Sequence, residues 1–350
     1  MWFTSDNAGP AHPDVLTALA KANEGYTNSY GTDPIMDEVR TRVRDIFEAP
    51  EAEVFLVATG TAANVLSLAT ICPPWGTIYC HRNAHIEEDE CGAPEFFTGG
   101  SKLTLLEGAD AKIDPASLEK ALKFTARAGV HNVQKGALSL TNATEAGAVY
   151  TLDEIKALTA LAKEHEIPVH MDGARFTNAL VHMGCSAADM TWRAGVDILS
   201  FGGTKNGLIG VEAVVLFDPT KAWEFELRRK RGAHLFSKHR FLSAQMLAYL
   251  TDDLWIRCAT HANQMASELS RGLMQSESTK LLHPVEANAV FAAWPRAGHR
   301  RVQDAGGHYY FWPFDQSLDG PDDDLLSARL VCNWSTTQAD IASFVEAVKS

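Results

Sequence analysis

Three short stretches carry residue types that could do chemistry together. Val169-His170-Met171-Asp172-Gly173-Ala174-Arg175 delivers an aspartate at the end of an apolar run, with an arginine three residues on. A buried carboxylate needs a partner. The stretch is therefore either an Asp–Arg pair bracing a turn or a carboxylate set to hold positive charge on a ligand. Leu199-Ser200-Phe201-Gly202-Gly203-Thr204-Lys205-Asn206-Gly207 places a lysine among glycines and a threonine. Alone, Lys205 reads as an exposed loop lysine, because lysines are mostly exposed. The G-x-x-x-x-G-K-[ST] spacing of a Walker loop is absent. Ala58-Thr59-Gly60-Thr61-Ala62-Ala63-Asn64 ends an apolar run in a glycine turn that opens a helix. Backbone N–H groups and the helix dipole at such a turn can hold a phosphate, although a glycine turn alone is equally a tight connection.

The three stretches mean more in sequence order. A phosphate turn, a carboxylate at a strand end and a lysine after a further strand are the parts that pyridoxal phosphate (PLP) requires. The lysine amine bonds to the aldehyde. The carboxylate keeps the pyridine nitrogen protonated, so that the ring accepts electrons, and backbone amides hold the phosphate. Lys205, Asp172, Gly60 and Thr61 are the candidates for these tasks. His85 is a fourth feature; it follows a strand candidate and precedes Glu87, Glu88, Asp89 and Glu90. His81 and His85 are four apart, which would suit a metal. No H-E-x-x-H appears, however, and an acidic run is usually a solvated face, so no metal is expected.

The elements that must position these residues alternate. Apolar runs at 53–58, 77–80, 103–106, 137–140, 168–171, 198–201 and 213–217 read as strands. Helical patterns occupy 62–71, a segment opened by Asp114-Pro115, and 152–165, where apolar positions recur at helical spacing. Such alternation predicts an α/β fold, with a mostly parallel sheet between helices. In these sheets ligands gather at the carboxyl ends of the strands. From about residue 240 the pattern changes. Helical segments at 241–250 and 255–274 precede strand-like runs at 289–294, 309–314 and 328–334, and a helix at 338–348. We read residues 1–240 as a large PLP-binding domain and 241–350 as a smaller C-terminal α/β domain, with an antiparallel sheet.

Composition bounds the function. Apolar residues make up 46% of the 350 and charged residues 21%, enough for a core without disulfides or metals. The net charge of −13 argues against nucleic acid and anionic membrane surfaces, both of which select basic faces. Against that background the run Arg228-Arg229-Lys230-Arg231 is read as structural or phosphate-holding. The six cysteines form no C-x-x-C pair. The first residues lack the basic and apolar regions of a signal peptide, and no apolar stretch reaches membrane-spanning length. A reduced, cytoplasmic enzyme is the expectation.

The chain resembles the L-threonine aldolases, the low-specificity branch of the aldolase/β-eliminating lyase group, nearly end to end. The resemblance rests on Thr4-Ser5-Asp6-Asn7, Tyr30-Gly31-Thr32-Asp33-Pro34, Thr59 to Asn64, Ala84-His85, Met171 to Arg175, Gly202 to Gly207, and Arg329-Leu330-Val331-Cys332-Asn333-Trp334. It implies PLP-dependent cleavage of β-hydroxy-α-amino acids to glycine and an aldehyde on an aminotransferase-like fold. It also implies roles. Lys205 binds PLP, with Thr204 beside it, Asp172 faces the pyridine nitrogen, and Gly60 and Thr61 hold the phosphate. Ser5, Arg175 and Arg329 surround the substrate carboxylate. His85 stacks on the cofactor ring. Tyr30, Arg231 and Lys238 reach the neighbouring subunit's site in a homodimer or homotetramer. Some members of the family carry a histidine in the loop after the 137–140 strand. Here that loop is Thr141-Asn142-Ala143-Thr144-Glu145-Ala146-Gly147, with Thr144 or Glu145 near the place, which leaves open the group that handles the β-hydroxyl. Other PLP reactions of the fold, β-elimination and transamination, and a non-catalytic binding protein are the alternatives.

Overall fold

All seven apolar runs of the first part pair into one sheet in the computed structural model, which describes residues 1–127 and 129–349. The strands are β1 (Glu53–Val57), β2 (Gly76–His81), β3 (Lys102–Leu106), β4 (Gln134–Thr141), β5 (Val169–Gly173), β6 (Ile198–Gly202) and β7 (Glu212–Leu216). Their spatial order is β1-β7-β6-β5-β4-β2-β3. The four pairings from β6 across to β3 are parallel; β7 runs antiparallel to both β1 and β6. That reversal follows from chain length. Residues 203–211 are too few for the helical crossover that a parallel return requires.

Helices cover both faces, so β5, β6 and β7 are buried along their whole length. The Gly60–Ile71 helix is buried continuously from Ala62 to Thr70, which accounts for its lack of a polar stripe. Its Ala62, Ala63, Val65 and Leu66 pack with Phe55, Val57, Ile198 and Val214. Thr59 caps it, the hydroxyl oxygen accepting the Ala62 N–H at 3.1 Å. The Leu152–Glu164 helix starts with a reciprocal capping box between Thr151 and Glu154.

A second sheet, all antiparallel, has the order β10-β11-β9-β8: β8 (Lys280–Leu281), β9 (Ala289–Pro295), β10 (Tyr310–Phe311) and β11 (Leu325–Val331). Two expectations shift here. The strand expected at 328–334 ends at Val331, and the run at 309–314 is a strand only at Tyr310–Phe311. Cys332 and Trp334 are apolar for other reasons. Cys332 fills the small core, and Trp334 donates its indole N–H to the Pro10 carbonyl at 2.8 Å.

Core packing crosses the proposed division at residue 240. Leu242, Met246, Tyr249, Leu254 and Trp255 belong to the core of the seven-stranded sheet, whereas Phe3 belongs with Val290, Trp294, Leu330 and Phe344 of the small one. The chain therefore begins in the small core and enters the large one only afterwards. Among the described residues no helix is long and apolar enough to cross a membrane.

Candidate active site

Five strands of the large sheet deliver the site, each at or just past its carboxyl end. β1 leads to Gly60, β2 to His85, β4 to Glu145, β5 to Asp172 and Arg175, and β6 to Lys205. Two touching chambers result. One, of about 330 Å³, is bordered by Gly60, Thr61, Asn64, Asp172, Thr204 and Lys205. The other, of about 160 Å³, is bordered by Ser5, Asn288, Trp312 and Arg329. His85, Glu145, Arg175 and Lys205 border both.

Close backbone approach makes the meeting of β5 and β6 possible. A Cβ on Gly202 would lie 2.3 Å from the Ala174 carbonyl, and one on Gly203 2.7 Å from that of Val211. Only glycine fits there, which explains the Gly-Gly ahead of the lysine. Glu212 anchors the turn by accepting the Gly203 N–H at 2.6 Å, and the Thr204 hydroxyl accepts the Val211 N–H at 3.1 Å. The Lys205 amine is held below the ordinary lysine range, by burial first and by the Arg175 charge second.

Asp172 is buried, and burial alone would raise its carboxyl. His85 nearby and the Ala174 N–H, 2.9 Å away, outweigh burial and hold it below the usual carboxylate range. Its other oxygen accepts from Asn64 at 2.8 Å. Asn64 also donates to Glu90 at 2.9 Å, and Glu90 meets His85 Nδ1 at 2.8 Å. The Glu90 bond raises the His85 pKa against its burial. A polar rail thus runs from His85 through Glu90 and Asn64 to Asp172, tying two strand ends to the buried helix. Behind it His170 is held neutral, pushed down to about 4 by burial between Ser139 and Ser200.

The Asp172–Arg175 brace considered from the sequence is not formed. Arg175 instead makes two bonds to Asp6, at 2.8 and 3.0 Å, and Asn288 donates to the same carboxylate at 3.0 Å. Arg329 lies over the rings of Trp312 and Tyr310, at 5.2 and 5.7 Å. Its guanidinium makes a long hydrogen bond to the Thr4 carbonyl, 3.4 Å, and its buried Nε meets no acceptor among the described residues. No carboxylate of the described residues forms an ion pair with it.

The Beta-eliminating lyase family profile matches residues 3–295. The chain belongs to the β-eliminating lyase family. Among its curated relatives is a protein named low specificity L-threonine aldolase from Pseudomonas sp. (strain NCIMB 10558). It is 40% identical over 352 residues, spanning 99% of this chain and 98% of the relative. A protein of the same name from Pseudomonas aeruginosa is 41% identical over 335 residues, spanning 95% and 93%. Among solved structures, a threonine aldolase of Leishmania major superposes with a TM-score of 0.91 at 26% identity, over 99% of this chain and 98% of that one.

In this β-eliminating lyase the structure brings Lys205, Asp172, His85, Gly60, Thr61, Thr204, Ser5, Arg175 and Arg329 to the two chambers. Tyr30, Arg231 and Lys238 lie elsewhere, on the exposed surface of the same chain. Tyr30 sits under the Lys230 ammonium at 5.0 Å, and its N–H donates to the Ser237 carbonyl at 3.1 Å. The rest of the basic run is occupied internally. Arg228 pairs with Glu224, and Arg229 is buried against Glu226 and the Phe55 ring.

Sequence reasoning gave no role to Asn64, Glu90 or Asn288, and named Glu145 only as one of two residues near the place that handles the β-hydroxyl. The acidic run after His85 was read as a solvated face, and for Glu87, Glu88 and Asp89 it is one, but Glu90 is only 4% exposed. The signal was its spacing. Glu90 closes the run just before Cys91-Gly92, where two successive positive φ values, 52° and 71°, turn the chain back to the helix.

Proposed function

We propose that the chain is a PLP-dependent aldehyde-lyase. It would cleave L-threonine, L-allo-threonine and related β-hydroxy-α-amino acids such as phenylserine to glycine and an aldehyde. The observation that carries this reading is the pairing of two unlike chambers across one lysine. On one side are an ionised buried carboxylate and a helix N-terminus; on the other is an arginine with no carboxylate partner among the described residues.

The residues fit PLP. A Cβ at Gly60 would meet nothing within 4 Å, so the first turn of the Gly60–Ile71 helix is open to a phosphate, which its N–H groups and dipole favour. Asp172, held ionised, supports a protonated ring nitrogen. His85, fixed by Glu90, lies between the two chambers, where it can cover a ring. When bound, PLP supplies a conjugated cation that accepts the electron pair released at Cα.

The chain does the rest. Burial and the Arg175 charge favour the neutral amine of Lys205, the form that attaches covalently. Arg329 and Ser5 hold the substrate carboxylate, and Arg329 can do so bidentately. Fixing the carboxylate at one end and the amino group at the Lys205 end sets the rotation about Cα, and that rotation decides which bond breaks. Tyr30, Arg231 and Lys238, exposed and outside their own chain's chambers, support a two-fold assembly in which they complete the partner's site.

A panel of β-hydroxy amino acids offered to the PLP-loaded protein is the direct test. Equal amounts of glycine and aldehyde are expected. A keto acid with no aldehyde would show β-elimination or transamination instead, and a colourless protein that releases neither product would show a binding function.

A further inference from the structure

Aldol cleavage needs a group that removes the β-hydroxyl proton, and the residues assigned above leave that task open. Three polar side chains near the chamber boundary are candidates. Thr144 is spent, because its hydroxyl donates to the Asp110 carbonyl at 2.8 Å and accepts the Ala148 N–H at 3.2 Å. His85 has its Nδ1 on Glu90, and that contact favours the protonated ring. Glu145 differs from both. It borders each chamber, its Oε1 accepts the His85 backbone N–H at 2.9 Å, and its Oε2 is buried with no hydrogen-bond partner of good geometry among the described residues, although the Thr141 hydroxyl lies close enough to the carboxyl to lower its pKa. A buried carboxylate oxygen without a donor is costly unless a ligand supplies one.

We propose that Glu145 is the catalytic base that takes the proton from the substrate's β-hydroxyl through its free Oε2. This deepens the aldolase reading and rests on it. The position suits the task. The substrate carboxylate end belongs at Ser5 and Arg329, its amine at Lys205, and Glu145 borders the space between them. The O–H bond breaks and its proton passes to Oε2. The electron pair of that bond becomes the second carbon–oxygen bond of the aldehyde. The Cα–Cβ pair stays with the glycine fragment, where Cα takes up one proton from solvent to complete glycine. Glu145 then returns its proton to solvent.

The surroundings tune the carboxyl for this exchange. Asp172 on β5, His85, Lys205, Arg175 and, behind it, Tyr150 and Cys80 are the titratable and charged groups that face it. Burial, reinforced by the Asp172 charge and opposed by the His85 N–H and the Thr141 hydroxyl, pushes Glu145 up to about 7. The base must be ionised to act, so cleavage is expected to rise as pH passes through about 7.

Glu145→Gln in the full PLP-loaded chain tests the assignment, because the amide oxygen can still accept the His85 N–H. Aldehyde release from L-threonine and phenylserine should fall on the order of 10²-fold or more. The absorbance of bound PLP should persist. Exchange of the glycine Cα proton with deuterium, read by NMR, uses the same site but no β-hydroxyl, and should keep pace with wild type. A readout independent of turnover comes from stability. The raised carboxyl favours the folded wild type fully below the unfolded value near 4.5, and that advantage is lost as pH rises through about 7. The Tm difference between Glu145→Gln and wild type should therefore move in favour of the variant over that window. Three results would overturn the proposal: cleavage at the wild-type rate in Glu145→Gln, parallel loss of cleavage and glycine exchange, or an unchanged Tm difference. If Glu145→Gln does not retain PLP, Glu145→Asp decides by the same split, since it keeps a carboxyl but withdraws it. A wild type that releases no aldehyde would fault the aldolase reading itself, before Glu145 is tested.

Discussion

Arg175 and Arg329 border the same chamber, yet they meet it in opposite conditions. Arg175 arrives with its counter-ion built in, since Asp6 fills its fork from a segment at the far end of the sequence, and Asn288 braces that carboxylate. Arg329 arrives stacked on Trp312 and Tyr310, with its Nε unmet. An ion pair already satisfied contributes position and field. A guanidinium left without a carboxylate keeps its strongest bonds for a ligand. The family resemblance implies the same task for both arginines, but their surroundings differ. On the proposed reading Arg329 would be the clamp, while Arg175 holds the N-terminal segment through Asp6 and lowers the Lys205 pKa.

The comparison can be tested from its centre outward. Lys205 lies where the two corners meet, so Lys205→Ala should abolish covalent PLP attachment and lower kcat by roughly 10⁴-fold or more. Borohydride should fix PLP to the wild-type peptide containing Lys205 and to no peptide of the variant. A labelled peptide elsewhere would shift the whole site. Arg329→Lys keeps the charge but loses the fork, so KM should rise on the order of tenfold to a hundredfold while PLP stays bound. If Arg175→Lys raises KM more than Arg329→Lys does, the roles are reversed.

Asp6→Asn should cost roughly 2 kcal/mol of stability, because a charge-assisted bond within a buried pair is lost. The sign with pH is fixed. Asp6 is lowered from 3.8, since Arg175 and Lys205 outweigh its burial. Its contribution is therefore present above 3.8 and lost as pH falls through the lower folded value. The melting temperatures of wild type and Asp6→Asn should converge in acid, and a gap that widens there would contradict the pairing. The smallest effect is expected outside both corners. Lys238→Ala should loosen PLP about tenfold if it completes a partner's phosphate site. Mixed with Lys205→Ala after subunit exchange, it should restore about one quarter of the sites, since half of random dimers are mixed and each has one intact site. Activity that never exceeds the average of the two variants would place Lys238 within its own chain.

Much of this architecture was legible because buried parallel strands leave a strong signal. The runs that became β1 to β7 are near-continuous apolar segments, and observed ends fall within a few residues of the expected ones. The small sheet was harder. Leu325-Leu326-Ser327 follows three aspartates that mask the start of β11, while buried Cys332 and half-buried Trp334 extend the apolar pattern beyond the ladder. In the site, residues carried by strand-end motifs were legible. Asn64 was not, because it lies inside a recognised stretch and acts through a partner distant in sequence, Asp172; Glu145 was legible as a position near the β-hydroxyl, but its contact with the His85 N–H was not. Pairing of that kind is a property of sheet order, which local patterns do not encode. The reversal of β7 could have been read from the short connection after Lys205.

The first eight residues have a consequence for how the enzyme could be switched off. Phe3 fills the small core, the Trp2–His308 bridge joins the neighbouring loop, Ser5 borders the substrate chamber and Asp6 neutralises Arg175. The link to the next helix, through Gly9-Pro10, is partly exposed. A single proteolytic cut there would release a peptide that is at once a core filler, a strand partner and a counter-ion. The seven-stranded sheet would stay folded around its lysine, while the chamber beside it lost both its shape and its charge balance.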